Sequence, residues 1–533
     1  MNAICPDPSF LIPDLQSGMA QLSRLPLANP VAAEQQLVLL LDSLLAAPPD
    51  AADLLALLEQ ARVPLCFVEE ELARRYHNKP LALGDVEEAY FQAVISAWEK
   101  MGRAYALCAQ LEEPDATNPD YGNRVALILH RCIYYTGMII LEHYRARREV
   151  PPGVWLDLHG YFETAEEWGV ADLAIEDSLE HESQLTHCMA AYATLLLIDL
   201  ASPYSQTVRD LNLIRRWAGQ WSPMVAVLPL NDQGPAPAYV VELMKDAPLH
   251  PHNPGAKPGQ DARQMMTERL TLQIRQMLTQ LKQRITPSQL GLGEETGSHV
   301  IRLLEQLARP WSLEPANRRF RRFASAGTAK VCCGFEAMHY AVTTREFVQP
   351  DAVQTYSRGE FDELFTFRDR ASPTQPLSIR AQGDYPVDVW SVINHSASGF
   401  RLRRSAAGQK ITHGQLLAFC PHDGEEFLLG HVTWLMQDGQ GHLIVGIALL
   451  PGLPAGVGVR STGAHPGIKE PYSRAFLLPA VHAIAQEASI VIPAGFYQAS
   501  RVIEVHGSGT WLARLKHILQ RGADFDRVSF ELV

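Results

Sequence analysis

Two short stretches hold the residue types best able to bind a ligand. Arg318-Arg319-Phe320-Arg321-Arg322 places four guanidinium groups in five residues. A guanidinium is a planar fork of N–H donors that meets phosphates and the O6/N7 edge of guanine bidentately. Arg318 and Arg322 form an Arg-x-x-x-Arg pair, with Arg319 and Arg321 in the same run to share the work. The second stretch is Asn394-His395-Ser396-Ala397-Ser398-Gly399, set between two alternating apolar runs. Asn394 can pair with a guanine edge and the Ser396 hydroxyl with a phosphate or base. Gly399 permits a backbone conformation that brings a loop close to its guest. Together the two stretches point to a site for an anionic guanine nucleotide on a small β-barrel.

Other candidate chemistry is thin. Gly291-Leu292-Gly293-Glu294-Glu295-Thr296-Gly297 lacks a preceding strand and the right final spacing for a dinucleotide loop, so a helix-to-helix turn is expected. His250 and His252 flank Pro251 with no further ligand set, and no metal is expected. Cys332-Cys333 falls on an expected strand, one side chain facing the core, with no base nearby to activate a thiol. Glu180-His181-Glu182 reads as solvated helix surface. No Gly-x-Ser-x-Gly elbow, Walker loop or His-Glu-x-x-His motif occurs, so neither catalysis nor a cofactor is expected.

The whole chain sets the background. At 533 residues it is too long for one core, and several domains are expected. Its formal net charge of −13 disfavours bulk binding to DNA or RNA, and makes a local arginine cluster stand out. The start, MNAICPDPSFLIPDL, lacks the basic opening and apolar core of a secretory signal. Val125 to Leu141 is the longest apolar run, but His130 and Arg131 interrupt it, so a buried helix is expected and no membrane insertion. The 8 cysteines are scattered without a Cys-x-x-Cys pair, which fits reduced thiols and a cytoplasmic location.

Residues 1–310 read as an all-α domain, a bundle or an irregular solenoid. Helices are expected over Val31–Ala47, Ala51–Arg62 (capped by Asp50 or Asp53), Pro64–Arg75, Asp85–Leu111, Gly122–Arg148, Val154–Gly169, Leu185–Leu200, Asp261–Arg284 and Pro287–Leu307. Met224–Leu230 and Ala238–Leu243, split by Asn231-Asp232-Gln233-Gly234-Pro235, suggest an inserted hairpin. Trp155-x-x-Leu158-His159-Gly160-Tyr161 resembles the start of a tetratricopeptide helix, but no fixed repeat period emerges. From Gly327 short alternating runs take over: a strand or two in Lys330–Thr343, then Val387–Ile393, Phe400–Arg404, Leu416–Cys420, Glu426–Trp434 and His442–Leu450. Turn residues between them suit a closed antiparallel barrel. Residues 349–384 are polar and read as a long, partly disordered insertion. After Pro451-Gly452-Leu453-Pro454, a small β-rich piece is expected, with strands at Ala475–Leu478, Ser489–Ile492, Arg501–His506, Trp511–Lys516 and Asp526–Val533. The fold class is therefore multidomain α+β, with boundaries near 1–310, 311–455 and 456–533.

From about Asn317 to Leu450 the chain resembles the PilZ-type receptors for the bacterial second messenger cyclic di-GMP. Arg318-Arg319-Phe320-Arg321-Arg322 resembles that family's Arg-x-x-x-Arg linker, and Asn394-x-Ser396-x-x-Gly399 its Asp/Asn-x-Ser-x-x-Gly motif. The order that follows also fits: Gly414 in a turn, a strand at Leu416, Gly430 to Trp434, then Val445 to Ala448. The gap between the motifs exceeds the family's usual length, which the insertion at 349–384 accounts for. The resemblance implies a non-enzymatic, cyclic di-GMP-binding effector with Arg318, Arg319, Arg321, Arg322, Asn394, Ser396 and Gly399 as ligand contacts. The ligand's two phosphodiesters and two guanines match that donor set. Ordering of the arginine linker would couple binding to a protein partner docked through the helical domain. The alternative is a protein–protein adaptor that keeps the barrel as a scaffold, binds no nucleotide and turns its arginines to an acidic surface.

Overall fold

The computed structural model describes residues 14–112, 120–179, 185–230, 236–253, 259, 261–315, 320–350, 385–462 and 470–533. The chain divides into two compact units, Met1–Arg319 with Met436–Gly441, and Phe320–Leu435 with His442–Val533.

The first unit is built on α1 (Leu15–Leu22), α2 (Pro30–Ala46), α3 (Ala51–Ala73), α4 (Asp85–Leu111), α5 (Tyr121–Arg145), α6 (Val154–Glu167), α7 (Cys188–Leu200), α8 (Val208–Trp221), α9 (Glu268–Lys282) and α10 (Gly297–Trp311). One continuous core runs from Ala33 to Trp311. Asp50 caps α3 by accepting from the Asp53 N–H at 2.9 Å. Pro64 does not split that helix, contrary to expectation. It denies the Gln60 carbonyl a partner, but Gln60 faces solvent, while Ala61, Leu65 and Val68 hold both halves in the core. The helix α8 was not anticipated, although Thr207 caps it and Val208, Leu211, Ile214, Trp217, Ala218 and Trp221 mark its buried stripe.

α5 is the axis of this unit. It is long and apolar enough to cross a membrane, but 89% of its most apolar window is buried in the protein. The charges inside it have partners. Arg62 of α3 grips Asp177 bidentately at 2.9 and 3.0 Å, and Arg131 of α5 bonds both Asp177 and Glu59 at 2.9 Å. Burial pushes the Asp177 carboxyl pKa up, but the Arg62 hydrogen bond and the Arg131 and Arg62 charges outweigh it and hold it low.

The unit is not all-α. Strands β1 (Ile175–Glu176) and β2 (Leu185–Thr186) pair, so α7 starts at Cys188 with His187 as its cap, later than the helix expected from Leu185. Strands β3 (Ala226–Pro229), β4 (Tyr239–Glu242), β5 (His250–Pro251) and β6 (Ala262–Met266) form a sheet in the order β3-β6-β4-β5. The expected hairpin is therefore corrected: β6, taken from the sequence as helix, lies between its two strands. Residues 231–235 and 180–182 lie outside the described residues.

The second unit holds two barrels. Strands β7 (Phe323–Ala324), β8 (Thr328–Cys333), β9 (Asp388–Ser396), β10 (Gly399–Arg404), β11 (Leu416–Pro421), β12 (Leu428–Gln437) and β13 (Leu443–Leu449) run in the order β10-β13-β12-β11-β8-β9-β7. Pairing of β9 with β10 closes six of them, and β7 continues the β8 edge of β9. After β8 the sequence suggested a possible further strand. The structure has helix α11 (Phe335–Thr343) instead, turned off the strand at Gly334, whose φ is +83°. Strands β14 (Ala455–Ser461), β15 (Ser473–Leu478), β16 (Ser489–Pro493), β17 (Val502–His506), β18 (Thr510–Arg521) and β19 (Phe525–Leu532) close a second barrel. Its first strand, β14, was not anticipated, since Gly456 and Gly458 mask its alternation. A shared core of Cys332, Met338, Leu416 and Leu429 with Phe476, Val491 and Phe525 joins the barrels. Hydrogen bonds from Leu416 N–H to Asp524 Oδ1 and from Ala523 N–H to Gly414 O, each 2.8 Å, fix their meeting edge.

Candidate functional site

The arginine run meets the Asn394 motif at the start of the first barrel. Phe323 of β7 is the register partner of His395, and Ala324 that of Asn394. Arg322 immediately precedes Phe323, and continuing that register one residue outward sets it across from Ser396. Arg321 and Arg322 are both exposed. The Arg321 guanidinium lies over the Phe323 ring at 5.7 Å. Arg318 and Arg319 lie outside the described residues, as do 351–384, all but two residues of the expected insertion.

On its other edge β9 pairs with β10, with Arg401 opposite Asn394, His395 opposite Phe400 and Ser396 opposite Gly399. Register then jumps, since Leu402 pairs with Val392 and Ile393 is the extra residue. Such a bulge re-aims the strand end next to it. Paired residues share a face. His395 therefore turns inward with Phe400, and the rings continue to buried Phe419 at 5.8 and 4.8 Å. Asn394 turns outward with Arg401.

The outward row reads Ala324, Asn394, Arg401, Gly446 across β7, β9, β10 and β13. Its two end residues are small, which leaves a shelf. The Trp434 indole of β12 lies across Gly446, where a Cβ would collide with it. Above that indole sits the Arg401 guanidinium, 5.4 Å from the ring centroid. Arg401 Nε is buried with no hydrogen-bond partner among the described residues. A flat aromatic surface, an under-used guanidinium and an amide side by side suit a stacked base with a polar edge.

Ser396 and Gly399 shape the corner. Ser396 Oγ accepts from Ser398 N–H and donates to Gly399 O, both at 3.4 Å. These are weak bonds, so the hydroxyl is readily redirected to a better acceptor. Gly399 has another basis than the one expected: a Cβ there would strike the Ile447 carbonyl of β13. It permits close strand approach, with no unusual torsion.

Sequence reasoning missed Arg401 and gave Trp434 no role beyond motif order. The signal was the alternation of β10, which puts 401 on the same face as Asn394. Cys332 and Cys333 lie beside the barrel core, and burial pushes both thiols up to about 12, far from a nucleophilic thiolate. Among the described residues no cluster of three or more potential metal ligands occurs.

Comparison with known proteins agrees with this architecture. Three family models match in chain order: the N-terminal domain of the cyclic-di-GMP receptor FimW over residues 17–232, its middle PilZ domain over 238–363, and its C-terminal β-barrel domain over 457–533. The middle match covers the arginine run, β7, β8 and α11, and ends before β9, so the Asn394 motif lies outside it. A curated protein of Pseudomonas aeruginosa, the cyclic-di-GMP receptor FimW, is 26% identical over 501 residues, 85% of this chain and 80% of its own length.

Proposed function

The chain belongs to the PilZ-domain family of cyclic-di-GMP receptors, and on that premise we propose that it is itself a non-enzymatic receptor for cyclic di-GMP. The observation that carries this reading is the adjacency of Arg322 and the Ala324–Asn394–Arg401–Gly446 shelf, since a receptor needs phosphate and base contacts on one surface. Arg321 and Arg322, with Arg318 and Arg319 of the same run, supply the cations for two phosphodiesters. Asn394 and Ser396 address a guanine edge, Gly399 keeps the corner tight, and Arg401 over Trp434 offers a stacking platform. Each charged hydrogen bond is worth about 1.5–3 kcal/mol, roughly ten- to hundredfold in affinity.

The finer part of the proposal is output. The run 318–322 joins the two units in sequence, so ordering it on the ligand biases the helical unit toward a partner-binding state. That bias cannot exceed the ligand's differential affinity for the two states. Pull-down of partners with and without cyclic di-GMP tests the coupling. Partner capture that ignores the ligand contradicts it. Calorimetric titration with cyclic di-GMP tests binding itself, and an absence of saturable heat favours the adaptor reading.

A further inference from the structure

Inside the helical unit, α3, α5, α7 and α8 enclose a cavity of about 450 Å³. Well-packed interiors keep few voids larger than a water molecule, and this volume falls in the range of small-molecule sites. Its lining is mixed, with Leu141, Leu195 and Ile198 beside Arg145, Arg215 and Gln220 among the residues that face it.

The two arginines are not equivalent. Arg145 is fully engaged, donating to Glu70 at 2.9 Å, to Glu142 at 3.2 Å and twice to Asn212 Oδ1 at 3.1 and 2.7 Å. Arg215 is not. Its contacts are Glu70 at 3.3 Å, the Tyr134 hydroxyl at 3.4 Å and the Met138 thioether at 3.4 Å. The two oxygen contacts, the first of them an ion pair, lie beyond the usual range for an N–H donor, and the third acceptor is a sulfur, a weak one. Its side chain is 27% exposed. Gln220, which also lines the cavity, has its Oε1 buried with no partner among the described residues and awaits a donor. Access is at hand: Asn212 and Arg216 line both this cavity and a basin of about 510 Å³ that includes Arg74 and Arg209.

We propose that this cavity is a second ligand site, for a small amphipathic anion. A carboxylate or phosphate head takes the Arg215 fork, a hydroxyl or N–H donates to Gln220, and an apolar body lies on Leu141, Leu195 and Ile198. The site is separate from the barrel shelf and does not depend on the barrel's ligand.

The test uses the full chain with three eight-carbon probes: octanoate, octyl phosphate and octanol, titrated against bound 1-anilinonaphthalene-8-sulfonate and by calorimetry. The expected result is single-site displacement by at least one anion, ten-fold or more tighter than by octanol. Octanoate against octyl phosphate tells which head group the site takes. Arg215→Gln removes the preference for the anion, and Thr194→Trp, which fills the cavity, removes all displacement. Both variants keep the wild-type titration with cyclic di-GMP, whatever that titration shows. Equal affinity for octanol and the anions, an unchanged preference in Arg215→Gln, or no displacement at millimolar anion overturns the proposal.

Discussion

Arg401 stands directly opposite Asn394 across the β9–β10 ladder, one step before the bulge at Ile393. Bulge and register together turn both side chains outward beside Trp434. If that shelf holds a guanine, Arg401→Ala lowers cyclic di-GMP affinity about ten- to hundredfold, with Arg514→Ala on β18 unchanged. Calorimetry of the two variants checks this. Equal affinity for Arg401→Ala and wild type removes Arg401 from the site.

Arginine contacts to phosphate are screened by salt. Affinity for a doubly charged ligand is therefore expected to fall steadily between low and high ionic strength, with a shallower slope in Arg322→Ala. Titrations at several salt concentrations measure both. A slope unaltered by that substitution places Arg322 away from phosphate.

Two glycines on the barrel test sterics. Gly399→Ala drives a methyl into the Ile447 carbonyl, and Gly446→Ala drives one into the Trp434 ring. Overpacking of this kind costs about 1–3 kcal/mol. For Gly399→Ala both neighbours are backbone, so a lower melting temperature is expected. For Gly446→Ala the indole can move, so ligand affinity is expected to fall more than stability. Thermal melts and titrations of both variants separate the two outcomes.

Much of this arrangement was legible in the chain. The Asn394 motif and its flanking strands follow from alternation and turn residues, and α4 was bounded at Asp85 and Leu111 by spacing alone. What escaped was set by tertiary context. Pro64 is tolerated because Gln60 faces water. Gly334 launches α11 where the sequence allowed a second strand. Glycines hide β14, and β6 looked like the start of α9 until its partners were known. The role of Gly399 depends on Ile447, nearly fifty residues away, which no local pattern reveals.

Histidines buried in the neutral form make the helical unit acid-sensitive. Burial first, then the Arg131 charge, pushes the His130 pKa down to about 3. Its folded value thus lies below its unfolded one, so between them the unfolded chain binds more protons. Stability is complete above the ordinary histidine range and falls as pH drops from there toward about 3. The slope is about 1.4 kcal/mol per pH unit from this group. His143, His159 and His187 shift in the same direction. Urea denaturation at pH 7 and pH 5 is expected to show the loss, and His130→Gln to lessen it. An identical pH dependence in that variant contradicts the assignment.

Asp177 is hydrogen-bonded to two buried guanidinium groups at once, with Glu59 as the second carboxylate beside Arg131. Asp177→Asn keeps the shape and removes the charge, and breaking a buried pair this way costs about 3–5 kcal/mol. Calorimetric melting is expected to show the helical unit unfolding earlier, with the barrel transition unmoved.

The central claim is that the arginine run and the Asn394 shelf close on one cyclic di-GMP site. Calorimetric titration of wild type, Arg322→Ala and Asn394→Ala tests it most directly. The account predicts saturable binding to wild type and a roughly ten- to hundredfold loss in each variant. No binding to wild type, or variants that bind as wild type does, contradicts it.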